Sequence, residues 1–230
     1  MELKSCIRCT GYSEMYSSSA IVHTSLKPNL EYKANLWKPY EVKVLFLAES
    51  PPYHSTKSNV VNDSYFYNHD ESQRFLGAPS PLLGTLSWNL FWLLGINNKL
   101  PKKEKLEKFR EKSCYFVNVV KCRAERYNKK NLINRTVKNC SVFLDREIRD
   151  LNPQTIVVLG ERALYGLKCC DPFNESISTN SINTLLEETK KQPLRIKEFN
   201  LFFLPLPILR NRQYLESMQS VFKIIKREIQ

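Results

Sequence analysis

With 230 residues and 42% hydrophobic side chains, the chain has enough apolar mass to bury one core of ordinary size without disulfide or metal staples. Its 35 Lys and Arg against 23 Asp and Glu leave a net charge of +12, which favours polyanions, nucleic acid first, unless it reflects a generally lysine-rich background. No apolar run reaches the ~20 residues of a membrane-spanning helix, and Met1 to Cys9 carries no secretory apolar stretch, so a soluble, cytoplasmic protein with no membrane partner is expected.

In chain order, residues 1–40 read as an N-terminal arm that bears the pair Cys6 and Cys9. Val42 to Ala48 is a short run rich in β-branched and aromatic residues, followed by Glu49, Ser50, Pro51 and Pro52. Two prolines stop a ladder, so a strand feeding a loop is predicted. Residues 53–74 are polar without a clear period and read as a surface insertion beside that loop.

Helical periodicity follows over Pro81 to Ile96 and Lys102 to Lys112. A second strand, Cys114 to Val120, runs into the polar Lys121, Cys122 and Arg123. The next helix, Asn131 to Leu151, puts Ile133, Thr136, Cys140, Phe143, Leu144, Ile148 and Leu151 on one face. Thr155 to Leu159 is a third strand, ended by Gly160 and Glu161.

Residues 171–192, rich in Asn, Ser and Thr, read as a second surface insertion. Phe199 to Leu204 is the fourth strand, ended by Pro205, Leu206 and Pro207. A closing helix from Arg212 to about Ile229 turns Leu215, Met218, Phe222 and Ile225 inward.

Apolar strands alternating with helices predict an α/β fold in a single domain spanning 1–230: a three-layer α/β/α sandwich around a central, mainly parallel four-stranded sheet. In such sheets ligands bind where the carboxyl ends of the strands open, so the four strand-end loops are the candidate site. Seven cysteines, an odd number, point to metal, cluster or core roles rather than a disulfide framework.

The loops carry a resemblance. Tyr115, Phe116, Val117, Asn118, Val119, Val120, Lys121, Cys122 and Arg123 lead to Asn139 and Cys140 on a helix, then to Leu151, Asn152, Pro153 and the strand ending at Leu159 and Gly160. In order and spacing this is similar to the uracil-DNA glycosylase superfamily, nearest its iron–sulfur branch (family 4), from about Val42 to Ile225. The first loop, Ala48 to Pro52, resembles the family loop whose acidic residue helps to place or activate water. The resemblance gives that catalytic role to Glu49 and sets Pro51 against the substrate.

Asn118 matches the family asparagine that reads the uracil edge, and an amide suits this because it offers both a donor and an acceptor. Capping of the strand-to-loop turn is its other reading. Arg74, Phe75, Leu76 and Gly77 resemble the segment whose ring stacks on the flipped base, and Tyr65, Phe66 and Tyr67 form a second aromatic cluster. Phe75 and Phe66 are thus candidates for stacking, with a core role as the alternative.

The fourth loop departs from the family, which carries a histidine there to stabilise charge on the departing base. Leu204 stands in its place and can neither donate a hydrogen bond nor carry charge. His23, His54 and His69 lie elsewhere in the sequence. Lys121, Arg123, Arg210 and Arg212 are expected to hold DNA phosphates.

Cys6, Cys9, Cys122 and Cys140 occupy the positions of the branch's cluster ligands, which implies a [4Fe-4S] cluster, with zinc in a four-cysteine site as the competing cofactor. A plain buried thiol is the alternative for Cys140, and Cys114, Cys169 and Cys170 read as structural. The resemblance implies a monomeric DNA repair glycosylase that flips a deaminated base, uracil or a relative, and hydrolyses its N-glycosidic bond. Leu204 leaves open a nucleic-acid-binding protein of the same fold with weak or no catalysis.

Overall fold

In the computed structural model the described residues are 34–49, 65–68, 86–121, 130–206 and 212–229, and their side chains except those of 130–133 and 212–217. The elements run β1 (Val44–Ala48), α1 (Leu86–Leu93), α2 (Lys102–Glu111), β2 (Cys114–Asn118), α3 (Lys130–Leu151), β3 (Thr155–Leu159), α4 (Glu161–Lys168), α5 (Phe173–Ser176), α6 (Ile182–Thr189), β4 (Leu194–Ile196), β5 (Phe199–Leu204) and α7 (Arg212–Glu228). Among the described residues no helix is long and apolar enough to cross a membrane.

The four apolar runs become the parallel strands β2, β1, β3 and β5, in that spatial order. Every residue of β1, β2 and β3 is buried, as expected of strands covered on both faces. Among the described residues the sheet has five strands rather than the expected four, because β4 pairs antiparallel with the edge of β5. Only three residues long, with Arg195 exposed at its centre, β4 has too little apolar pattern to be seen in the sequence. Its turn to β5 places Lys197 at φ 50, in the left-handed region.

Residues 171–192, expected as a surface insertion, fold into α5 and α6. Ser181 Oγ accepts the Thr184 amide at 3.3 Å and caps α6, satisfying a donor that a bare helix start leaves open. Ile182, Leu185, Leu186 and Thr189 are buried at helical spacing, and α6 packs on β5.

Strand alternation separates the two faces of the sheet. Phe46 and Phe116, paired across β1 and β2, point to the same side. There Phe46 meets Phe109 of α2 and Phe222 of α7, with ring centroids 5.8 and 6.2 Å apart. Each fully buried ring contributes roughly 1.5–3 kcal/mol of burial, and a well-placed pair about 0.5–1.5 kcal/mol more. Against the other side lies α4, which contacts β1 and β3 and packs along α3. Of the predicted inward face of α3, Thr136, Cys140, Phe143, Leu144 and Ile148 are buried and Leu151 is half-buried, while the Ile133 side chain lies outside the described residues.

β2 forms one edge of the sheet, and an open edge invites pairing with another chain. Residues Tyr65 to Asn68 cover it. The Phe116 amide donates to the Tyr67 hydroxyl at 2.7 Å, and Lys102 Nζ donates to the Tyr65 carbonyl at 2.8 Å. These four residues are buried, although they fall within the stretch expected as a surface insertion.

Candidate functional site

The site begins where the strands end. Past β1 and β2 the ladder continues: the Val119 amide donates to the Ala48 carbonyl and the Val120 amide to the Glu49 carbonyl, both at 2.8 Å. Asn118 lies directly opposite Ala48. Glu49 and Asn118 therefore stand on neighbouring strand ends whose backbones are fixed to each other, which holds their direction without help from a ligand.

The ends of β3 and β5 are tied in the same way, by the Gly160 amide donating to the Leu204 carbonyl at 2.8 Å. Gly160 has φ +87, and a Cβ built on it lies 3.5 Å from Leu206 Cβ. The strained backbone, more than the crowding, calls for glycine there. The Gly160 carbonyl then accepts the Leu164 amide at 3.1 Å and starts α4.

Glu49 is half-buried. Loss of water pushes its carboxyl above the ordinary value, and the Arg162 guanidinium pulls in the opposite direction without cancelling the rise. Arg162 stands in the first turn of α4, and its Nη1 donates to Asn134 Oδ1 of α3 at 2.6 Å. Sequence reading did not single Arg162 out. The available signal was an arginine two residues beyond the glycine that ends a buried strand, but its meaning depends on which strand lies next to β3.

Asn118 is 9% exposed. A carboxylate that accepts and an amide that both donates and accepts thus end two neighbouring strands. Such a pair can orient a water and read a polar heterocyclic edge.

Other sequence-derived positions are placed differently. Phe66 is 3% exposed, stacked on Phe116 with centroids 4.3 Å apart and the rings 12° from parallel, and it also meets Phe109 at 5.1 Å and Phe91 at 5.4 Å. Its ring sits in the aromatic core, the alternative to the stacking expectation. Lys121 also departs from the expected phosphate contact: its ammonium is buried and paired with Glu147 of α3. An unpaired ammonium would be costly at that depth, so the pair braces the second loop against α3.

Cys140 is buried on α3, as its place on the apolar face predicted. Pro51, Phe75, Arg123, Arg210, Cys6, Cys9 and Cys122 lie outside the described residues, as does the side chain of Arg212, which opens α7. Among the described residues no group of three or more metal-ligating side chains comes together. Burial pushes the Cys114 and Cys170 thiols up to about 12, and Cys170 Sγ donates to the Gly166 carbonyl at 3.4 Å, so both behave as packing groups. Leu204 is fully buried at the end of β5.

The family model of the uracil DNA glycosylase superfamily matches residues 34–230. No curated protein matches the chain.

Proposed function

The chain belongs to the uracil DNA glycosylase superfamily, and from that premise we propose that it is a DNA repair glycosylase that flips a deaminated base, uracil or a relative, and hydrolyses its N-glycosidic bond. Superfamily membership supports a glycosylase-type function and DNA as the partner. The observation that carries the finer reading is that Glu49 and Asn118 stand at the ends of β1 and β2, neighbouring strands whose backbones are locked together.

In this reading the Asn118 amide hydrogen-bonds the base edge, and the Glu49 carboxylate accepts a proton from the attacking water. The water oxygen bonds to C1′ as the C1′–N bond breaks, and the base departs with the bonding electron pair and is then protonated. A half-buried carboxylate with a raised pKa is better matched to proton transfer near neutral pH than a solvated one. The net charge of +12 attracts the DNA backbone, and Arg123, Arg210 and Arg212 are the proposed phosphate contacts. Pro51 and Phe75 are the proposed contacts to the flipped base.

Cys140, a buried thiol on a helix flanking the second loop, suits a cluster ligand. With Cys6, Cys9 and Cys122 it would hold a [4Fe-4S] cluster, or zinc in its place, and the metal would anchor the N-terminal arm. No chemical step is assigned to it.

A second reading, a DNA-binding protein that cleaves weakly or not at all, draws on Leu204. Its buried aliphatic side chain offers no stabilisation to a departing anion, and one such contact is worth roughly 100- to 1000-fold in rate. The test is incubation of anaerobically purified protein with oligonucleotides carrying uracil or hypoxanthine, followed by alkali cleavage at abasic sites. Excision that is abolished in Glu49→Gln with DNA affinity retained supports the glycosylase. Binding without product supports the second reading, and an unchanged rate in Glu49→Gln removes Glu49 from the chemistry. A broad visible absorption band in the same sample distinguishes the cluster from colourless zinc.

A further inference from the structure

Three features of the site converge on Arg162. The parallel register that pairs Leu47 with Val158 brings Gly160 level with Glu49, so the first turn of α4 starts beside the end of β1. Asn134 Oδ1 holds Nη1 of Arg162 at 2.6 Å, which spans from α4 to α3 and limits the rotamers of a side chain that is otherwise long and free. Finally, a guanidinium in the first turn of a helix sits at the positive end of the helix dipole, where a cation is disfavoured. Its own helix thus gains nothing from an arginine there, and a neighbouring anion does.

We propose that Arg162, clamped by Asn134 in the helix turn that starts beside the end of β1, is the positioning residue for the Glu49 carboxylate. The inference depends on the glycosylase reading only for which reaction Glu49 serves. Arg162 touches neither water nor base in this scheme. It offsets part of the desolvation that opposes ionisation of Glu49, and the positive end of α4 adds to the same field.

Level with Glu49, the chain past β2 contributes the uncharged Val119, the Lys121 ammonium beyond it is engaged by Glu147, and the neighbouring Glu161 is exposed. Of the charged groups among the described residues, Arg162 is the one whose field bears on Glu49. Without it the carboxyl holds its proton to higher pH, and the acid limb of any reaction that uses Glu49 as a base moves up with it.

The test reads the carboxyl directly. The full-length protein, labelled with carboxyl-13C glutamate, is titrated by NMR, and Glu49→Gln identifies the Glu49 resonance by its loss. The midpoint is expected to rise in Arg162→Met, to return close to wild type in Arg162→Lys, and to rise by a smaller step in Asn134→Ala, which keeps the charge and frees it. A midpoint unmoved in Arg162→Met overturns the proposal, and one unmoved in Asn134→Ala overturns the clamp. Arg162→Lys and Asn134→Ala keep the question open to decision should Arg162→Met fail to fold.

Excision rates measured across the same pH range separate this inference from the function it serves. In an active enzyme, Arg162→Met loses rate several-fold on the acid side and recovers it at alkaline pH, whereas a merely structural defect lowers the whole profile. A wild type that excises nothing while the carboxyl midpoint moves as described removes the glycosylase reading and supports the Arg162 one. An active wild type with an unmoved midpoint does the reverse.

Discussion

The two faces of the sheet are built of different material. On one, Phe46, Phe66, Phe91, Phe109, Phe116 and Phe222 pack ring against ring with no polar partner to satisfy. On the other, α4 presses Gly166 against Val119, Asn134 reaches Arg162, and Lys121 pairs with Glu147. Ring packing gives stability that grows with buried area and tolerates modest rearrangement. Buried polar contacts add little net stability but fix direction, since a misplaced partner leaves a charge or donor without compensation. The difference teaches that the fold is held chiefly from the aromatic side and the strand-end loops are aimed from the α3–α4 side.

If that division holds, the largest effect comes from the aromatic face. Phe66→Ala removes a ring in contact with four others among the described residues and should cost ~3–5 kcal/mol of stability, read as a fall in the denaturant midpoint. DNA affinity and excision per folded molecule should persist. A selective loss of substrate binding in a protein of undiminished stability would return Phe66 to the pocket and break the comparison.

The next effect comes from the opposite face. A Cβ at Gly166 would lie 2.2 Å from Val119 Cγ1, closer than any real contact, so Gly166→Ala must displace either α4 or the loop that follows Asn118. Alanine is favoured over glycine in a helix by ~1 kcal/mol, yet a clash of this depth outweighs it, and a net loss of roughly 1–3 kcal/mol is expected. Because Val119 adjoins Asn118, excision should fall more steeply than DNA affinity. Unchanged stability together with unchanged excision would show that the α3–α4 side does not aim the loop.

How much of this was legible in the sequence depends on how local each cause is. The four buried strands declared themselves because apolar runs ending in Pro, Gly or polar residues have a local cause. β3 and β5 were predicted residue for residue. The face of α3 was equally plain from its period. α6 was overlooked although Ile182, Leu185, Leu186 and Thr189 keep helical spacing, because the Asn, Ser and Thr around them also suit turns and only packing on β5 selects the helix.

The surroundings of Phe66, Lys121 and Arg162 were hidden for a different cause. Phe66 as a stacking platform and Phe66 as core look identical until Phe116, fifty positions on, is seen to lie against it. Lys121 resembles a phosphate ligand until α3 brings Glu147 to it. Arg162 carried no signal at all, since its relation to Glu49 exists only because β1 and β3 are neighbours in the sheet. Glu49 and Asn118 were singled out by a family resemblance carried on strand-end loops, and a strand end is a local feature.

The smallest effect sharpens the comparison most, since it asks whether Glu49 itself is held at a cost. Its folded pKa lies above the ordinary glutamate value, so the group contributes stability at low pH that is lost as the pH rises through the folded pKa. Glutamine at this position carries no charge and loses nothing over that range. Glu49→Gln should therefore melt above wild type at about pH 7, and the gap should close by about pH 4, where the wild-type carboxyl is mostly protonated in the folded protein and partly so in the unfolded one. Other titrating groups are common to both proteins and cancel in the difference. In an Arg162→Met background the gap should widen, because the same guanidinium that favours the ionised carboxylate is gone. A wild type that melts above Glu49→Gln at neutral pH would mean that the carboxylate is stabilised where it stands, and the strand-end site would then belong with the structural face rather than opposite it.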